Sequence, residues 1–589
     1  MKILITLLFA VVLQSTSVAQ QIHYRLSMPK PQNHYFEVEM ELSNFKDKVL
    51  NVKMPVWAPG SYLVREFAKN VNVVTAFDEN NKALKVEKQA KNNWSIEKGK
   101  AKKVVVRYQV YAFELSVRTS FLDLTHGYVS GSGVFMYVDK FKEKAGTLTV
   151  DPFENFKKVS TGMPFDGKVG AAWNYHFDNY DQLVDCPLEI GNQEEFSFTA
   201  AGVKHTVAMY GEGNFDVERL KVDMAEIIEA ETKVFGENPN KEYTFIIHNV
   251  VDGQGGLEHC NSTTLSVNRW TYSDESYDGF LSLVAHEYFH LWNVKRIRPL
   301  ELGPFNYDEE NYTTLLWVME GFTSYYDELI LRRVGLYDMN KMASKVQSSV
   351  NYVEGSIGSR VQPLAHASYD AWIKSYRPNE NSSNTQMTYY SRGAVIASIF
   401  DAKIIAKYNG EKCLDHFMKH LYDKFYKKLN RGFTENEFKT EIATFLGENL
   451  DEFWAKYIHG TEIIPYAEYF AKIGVTVTDK SSEVVSSGLS LTESGGKVTV
   501  RGIRAGSAAE DAGLSVNDEI IGCNGYRVSQ ASLEGTLNSL EVGEQAELLI
   551  SRDQVLYGIE FFMNSYTRPQ FSFTVDASNK LAQYWLRED

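Results

Sequence analysis

The stretch Leu281–Pro299, LSLVAHEYFHLWNVKRIRP, constrains this 589-residue chain more than any other. Its apolar residues Leu283, Val284, Phe289 and Leu291 suit a buried helix, and Pro299 supplies a stop beyond it. Inside it lies His286-Glu287-Tyr288-Phe289-His290. Histidines at i and i+4 stand one above the other on a helical face, so both imidazoles can meet one metal ion. Glu287 points beside that face, where a general base for a metal-activated water is needed.

A chain this long exceeds one hydrophobic core and is expected to divide into three or four domains. The formal net charge of −15 argues against nucleic acid and anionic membrane surfaces as partners, since both need basic patches. Met1-Lys2, the apolar run Ile3–Leu13 and the small residues Ser17-Val18-Ala19 form a signal-peptide pattern over residues 1–19. That run is too short for a membrane anchor, and no other stretch approaches the ~18 apolar residues of a membrane span. The expectation is an exported, soluble protein, periplasmic or extracellular. Four cysteines, Cys186, Cys260, Cys413 and Cys523, show no metal-binding spacing. An oxidising compartment leaves room for one or two disulfides, which the sequence does not pair.

From residue 20 to 203 short β-rich runs such as HYFEVEMEL and KKVVVRYQVYAF alternate with turns, which predicts an antiparallel β domain. Nothing in that region has catalytic spacing. An amphipathic helix is predicted between Val217 and Phe235, then a strand over Glu242–Val250 and the Gly-rich turn Asp252-Gly253-Gln254-Gly255-Gly256. The segment Leu257-Glu258-His259 and a strand over Thr263–Val267 precede the HEYFH helix. An edge strand beside a metal-binding helix can hold an extended peptide through its backbone. The remainder to 473 reads as mainly helical, 474–566 as β-rich with Gly/Ser turns, and 567–589 is unassigned.

Two histidines do not complete a catalytic metal site; a third protein ligand is expected. Glu320 in LLWVMEGFTSYY is the best candidate, a carboxylate among the apolar Leu316, Val318, Met319 and Phe322. The interval from His290 allows the chain to turn and lay a second helix on the first. Thr323 and Ser324, a turn further on, are placed to orient a ligand.

HEYFH followed by WNVKRIRP, then WVMEGFTSYY, resembles the glycyl aminopeptidase family of zinc metallopeptidases, relatives of the thermolysin-like group. The likeness extends to Trp57–Tyr62, Arg65-Glu66-Phe67, Leu183-Val184-Asp185, Ala367–Trp372 and Tyr389–Gly393. It implies one Zn2+ on His286, His290 and Glu320, with Glu287 as general base. Gly255-Gly256-Leu257-Glu258-His259 is similar to the G-x-M-E-N segment of the wider aminopeptidase group. By that likeness Glu258 receives the substrate's free α-amine and His259 stands in place of Asn. Tyr390 resembles the tyrosine that stabilises the oxyanion, with Tyr389 beside it. The implied fold is multidomain α+β: an N-terminal antiparallel β domain (20–203), a thermolysin-like catalytic domain (204–330) and a mainly helical domain (331–473).

Residues 474–566 resemble a PDZ domain. Gly488-Leu489-Ser490-Leu491 is similar to its carboxylate-binding loop, where successive backbone N–H groups would take a peptide C-terminus. The leading expectation is an exported aminopeptidase acting on peptides with free N-termini, with small residues, Gly and Ala, implied by the family. A zinc endopeptidase whose Glu258 only lines the cleft is an alternative. So is a peptide-binding or quality-control protein in which the PDZ domain dominates and catalysis is vestigial.

Overall fold

A computed structural model describes residues 20–167 and 173–588; the leader pattern over 1–19 lies outside the described residues. The architecture is multidomain α+β. The N-terminal part is built on a six-stranded sheet, in the order 173–177, 146–151, 21–27, 35–43, 103–111, 71–78. A five-stranded and a three-stranded sheet accompany it. Strict alternation in Tyr35–Ser43 explains the layering: Phe36, Val38, Met40 and Leu42 point into the core, and the glutamates between them face out. All its pairings are antiparallel except Gln21–Ser27 against Gly146–Asp151, which run parallel.

A second major sheet has five strands, in the order 194–200, 203–210, 242–250, 262–268, 256–258. Helix Val217–Phe235 connects the parallel pair Val203–Tyr210 and Glu242–Val250; it is capped by the Asp216 side chain and closed by Gly236 at φ 80. The short strand Gly256–Glu258 is the open edge. Strands of the two domains meet at a buried carboxylate: Glu189 accepts hydrogen bonds from His126 Nδ1 at 2.7 Å and His248 Nε2 at 2.8 Å. Burial opposes its charge, yet the two imidazoles hold the Glu189 carboxyl down at about 2.

The PDZ-like β region has its own core around Val498, Val500, Leu533, Leu548 and Phe561. Two antiparallel ribbons join it to the helical part: Ser482–Ser486 with Asn564–Arg568, and Val475–Asp479 with Phe571–Val575. The stretch after 566 therefore does not trail away. Its helix Lys580–Trp585 buries Trp585 in the catalytic core, where Nε1 donates to Tyr325 OH at 2.8 Å. Arg332 Nε donates to Leu586 O at 2.8 Å. All four cysteines are free thiols, so the structure does not contain the disulfides the sequence left room for. No described helix is long and apolar enough to cross a membrane.

Candidate active site

Helix Asp274–Phe289 carries the two histidines, with Val284, Ala285, Tyr288 and Phe289 fully buried beneath them. The helix ends at Phe289, ten residues before Pro299, so the proline is not the stop. His290 is the C-cap, still in helical conformation at φ −60 and ψ −19, which preserves the i, i+4 stacking. The chain then turns through Asn293 and Val294, a β-branched residue at φ 147. Such backbone is costly for valine and marks an enforced bend.

The bend is held from Glu320's side. Asn293 Nδ2 reaches the Val318 and Met319 carbonyls at 3.0 Å and Thr323 Oγ1 at 3.1 Å. Glu320 sits in a π-helical turn, Trp317–Gly321, that leads into helix Phe322–Arg333. Such single-turn bulges re-aim side chains. Here the result is Glu320 Oε2 at 3.5 Å from His286 Nε2 and 3.3 Å from His290 Nε2. Burial opposes the charge, and His290 and His286 hold the Glu320 carboxyl down at about 2.

The donor set fits zinc. His286 Nδ1 donates to Asp327 Oδ2 at 2.9 Å and His290 Nδ1 to Asn293 O at 2.7 Å. Each bond fixes the tautomer in which Nε2 offers its lone pair to the centre. The two Nε2 atoms and a Glu320 oxygen lie within 4.8 Å of one another, a His2Glu set with room for one ion. The sequence missed Asp327, although it lies two helical turns past Glu320, a spacing that places both on one face.

Glu287 is buried, and its Oε2 has no partner. Burial, helped by Glu258 and Glu320 and opposed by the two histidines, raises its carboxyl to about 7. Oxygens of Glu258 and Glu287 lie within 4.8 Å of each other and of a His290 ring nitrogen, so the edge strand delivers Glu258 beside the base. Glu258 is itself 4% exposed with Oε1 unpartnered. Gly255 O accepts from Ser266 N at 2.9 Å, tying the turn to the sheet, and Gly256 lies against Glu287. His259 is the exception among the four: Nδ1 is 3.0 Å from Asp185 Oδ1, which also takes Lys295 Nζ at 2.9 Å. His259 is therefore bound on that side to the N-terminal domain.

Helix Tyr389–Lys407 crosses the Glu320 turn where two glycines meet: a Cβ on Gly321 would lie 2.4 Å from Gly393 Cα. That contact brings both tyrosines to the centre. The Tyr390 ring stacks on His286 at 6.2 Å, and Tyr389 stacks on Tyr390 at 4.8 Å. Burial, then Glu320, raises Tyr390's phenol well above its ordinary value, so it remains a donor.

The N-terminal part, in which no catalytic spacing is legible, nevertheless completes the cleft through packing. Trp57 and Tyr62 pack edge-on against Trp372, at 5.1 and 5.7 Å. A Cβ on Gly60 would lie 2.6 Å from Glu258 Oε1, so the Trp57–Tyr62 loop passes directly under that carboxylate. Arg118 Nη2 donates to Gly256 O at 3.2 Å. In the PDZ region, Gly488, Leu489 and Ser490 line a cavity of about 780 Å³ shared with Asn384, Gln386, Met387 and Thr388 of the helical part, whereas Leu491 lies outside its lining. Asn384 pins the two together through Ile503 O at 2.7 Å and Ala505 N at 2.9 Å.

A helix-borne His-Glu-x-x-His, a glutamate ligand from a second helix and an acidic edge strand define a metallo-aminopeptidase. Comparison with known families agrees: residues 23–192 match the peptidase M61 N-terminal domain, 279–396 the M61 glycyl aminopeptidase and 471–560 the PDZ domain. Over those two segments the chain is similar to the M61 glycyl aminopeptidase family. The crystal structure of an aminopeptidase N family protein from Idiomarina loihiensis is similar over 96% of this chain and 100% of that one, with TM-score 0.88 and 29% identity. An M1 zinc metallopeptidase from Deinococcus radiodurans is more distant, at 14% identity and TM-score 0.49 over 76% of this chain and 95% of that one. Yeast LTA4 hydrolase with bestatin gives 12% and 0.49, over 77% of this chain and 70% of that one. No curated protein matches.

Proposed function

We propose that this protein is an exported zinc aminopeptidase that removes small N-terminal residues, glycine and alanine, from peptides. The observation that carries the exopeptidase reading is Glu258: a buried, unpartnered carboxylate within 4.8 Å of both Glu287 and His290. A carboxylate there pairs with a terminal ammonium one residue from the scissile bond. The leader pattern at residues 1–19 supports export, and the Gly60 loop and Tyr62 beneath Glu258 support a shallow first pocket.

His286, His290 and Glu320 would hold the zinc. When bound, the ion supplies Lewis acidity, making a water nucleophilic near neutral pH and polarising the scissile carbonyl. Glu287 takes the proton from the attacking water and passes it to the leaving amine. Tyr390 donates its phenol hydrogen to the oxygen on which negative charge builds. Glu258 fixes the amine, so that only the first peptide bond reaches Glu287. The Gly488–Leu491 loop is read as a second binding place, for peptide C-termini.

The test compares Gly- and Ala-amide reporters with their N-acetylated forms, with and without a chelator. Chelator-sensitive cleavage of the free-amine forms alone is expected. Cleavage within blocked peptides would replace this reading with an endopeptidase, and no cleavage by zinc-loaded protein would leave peptide binding by the PDZ region.

A further inference from the structure

Among the described residues Arg118 is a cation without a counterion. It sits in the turn between strands Phe113–Ser116 and Thr119–Leu122 of the N-terminal domain. Tyr128 OH locks that turn onto the catalytic sheet, bonding Val117 O at 3.2 Å and Thr264 Oγ1 at 3.0 Å. The side chain's one hydrogen bond among the described residues is Nη2 to Gly256 O. Its Nε is shut from solvent without a partner, and no described carboxylate comes within ion-pair distance. Burial works against its charge, which Tyr376, Tyr390, Glu287 and Glu258 favour from a distance. Arg65 is close enough to feel the same charge and also lacks an ion-pair partner among the described residues. A half-buried guanidinium with donors to spare is matched to a planar carboxylate, which it grips through two parallel bonds.

The edge strand says which carboxylate. Gly255 O accepts from Ser266 N and Leu257 O from Thr263 Oγ1, so both turn toward the neighbouring strand. By alternation Gly256 O turns outward, to the side where an incoming peptide would lie, and Arg118 already occupies it. Arg118 thus stands two strand residues from Glu258, about 7 Å at ~3.3 Å per residue. An extended dipeptide spans about the same distance from amine to carboxylate. Between the two anchors lies the base: a Cβ on Gly256 would be 2.4 Å from the Glu287 carboxyl carbon.

We propose that Arg118 binds the free C-terminal carboxylate of a dipeptide whose amine is held by Glu258, so that the preferred substrates are free dipeptides with a small first residue. Hydrolysis of the single peptide bond then releases two amino acids. This rests on the aminopeptidase reading above and narrows its substrate class. A longer peptide would have to displace Arg118 from Gly256 O to pair with the strand.

The experiment measures kcat/KM of the zinc-loaded enzyme on Gly-Leu and on Gly-Leu-amide, and calorimetric binding of both to the Glu287→Gln variant. Losing a charge-assisted pair is worth about tenfold or more. The acid should exceed the amide by at least that factor, chiefly through KM, and bind correspondingly tighter. Arg118→Met should bring acid and amide to parity, and Arg118→Lys should restore part of the difference. Equal handling of acid and amide by the unaltered enzyme overturns the proposal, as does an Arg118→Met loss that falls equally on both. N-acetyl-Gly-Leu and its amide separate the two readings. If the blocked peptide is cleaved as well as the free one, the aminopeptidase reading fails, while the acid-over-amide ratio still reports on Arg118.

Discussion

The two sides of the cleft are built in opposite ways. The metal side comes from one continuous region: His286 and His290 on one helix, Glu320 in the next helical turn, Asp327 further along it, and Asn293 binding the two together. The peptide-end side is assembled across domains. Glu258 is supplied by an edge strand, the floor by the Gly60 loop, the clamp on His259 by Asp185, and Arg118 by a hairpin of the N-terminal domain. Chemistry is kept local, whereas the features that decide which peptide fits depend on how the domains meet. A metal ligand misplaced by an ångström is useless, so short connections suit it.

The contrast can be broken at its strongest point first. His290→Ala should abolish both bound zinc and turnover, while Glu287→Gln should keep zinc and lose roughly a hundredfold to ten-thousandfold in kcat. Metal analysis beside kinetics decides it, and a fully active Glu287→Gln would remove Glu287 as the base. On the other side of the cleft, Glu258→Ala should cost free-amine substrates roughly tenfold to a hundredfold in kcat/KM and leave zinc content intact. An equal loss on acetylated substrates would make Glu258 a structural residue. Asp327→Asn sharpens the metal side, since a weaker acceptor for His286 Nδ1 should reduce zinc affinity about tenfold to a hundredfold, read by competition with a chelator.

The smallest effect probes the seam between the domains. Glu189 titrates at about 2 in the folded chain against an ordinary 4.5, so unfolding takes up a proton in that window. Its contribution to stability is complete above about pH 4.5 and is lost as the pH falls toward about 2. The melting temperature of the native chain should therefore drop more steeply below pH 4.5 than that of Glu189→Gln, which lacks the titrating group. Parallel curves would show that the His126–Glu189–His248 contact does not hold the domains together.

What the sequence revealed follows the same division. The helix over Val217–Phe235 and the strand over Glu242–Val250 lie where periodicity placed them, because each pattern is carried by consecutive residues. His286 and His290 were legible for the same reason, whereas Glu320 was marked by its apolar neighbours and by the family likeness and meets them only once the second helix packs on the first. Gly60 and Asp185 lay in segments that the family likeness marked without giving them a role, and Arg118 had no signal at all, because each reaches the cleft from a chain segment whose position depends on sheet packing. The strand Phe571–Val575 has alternating Phe571, Phe573 and Val575, yet its partner Val475–Asp479 lies on the far side of the whole PDZ region. Local pattern shows that such a strand exists and says nothing of where it pairs.

The Trp585–Tyr325 bond has a consequence in time. The two residues are 260 positions apart, and Tyr325 belongs to the helix that carries Asp327. When that helix leaves the ribosome, the residue that closes its outer face has not yet been made. At ~5–20 residues per second, tens of seconds pass before it appears. During that interval the helix behind His286 lacks one wall, and it gains that wall only when the chain is almost fully made.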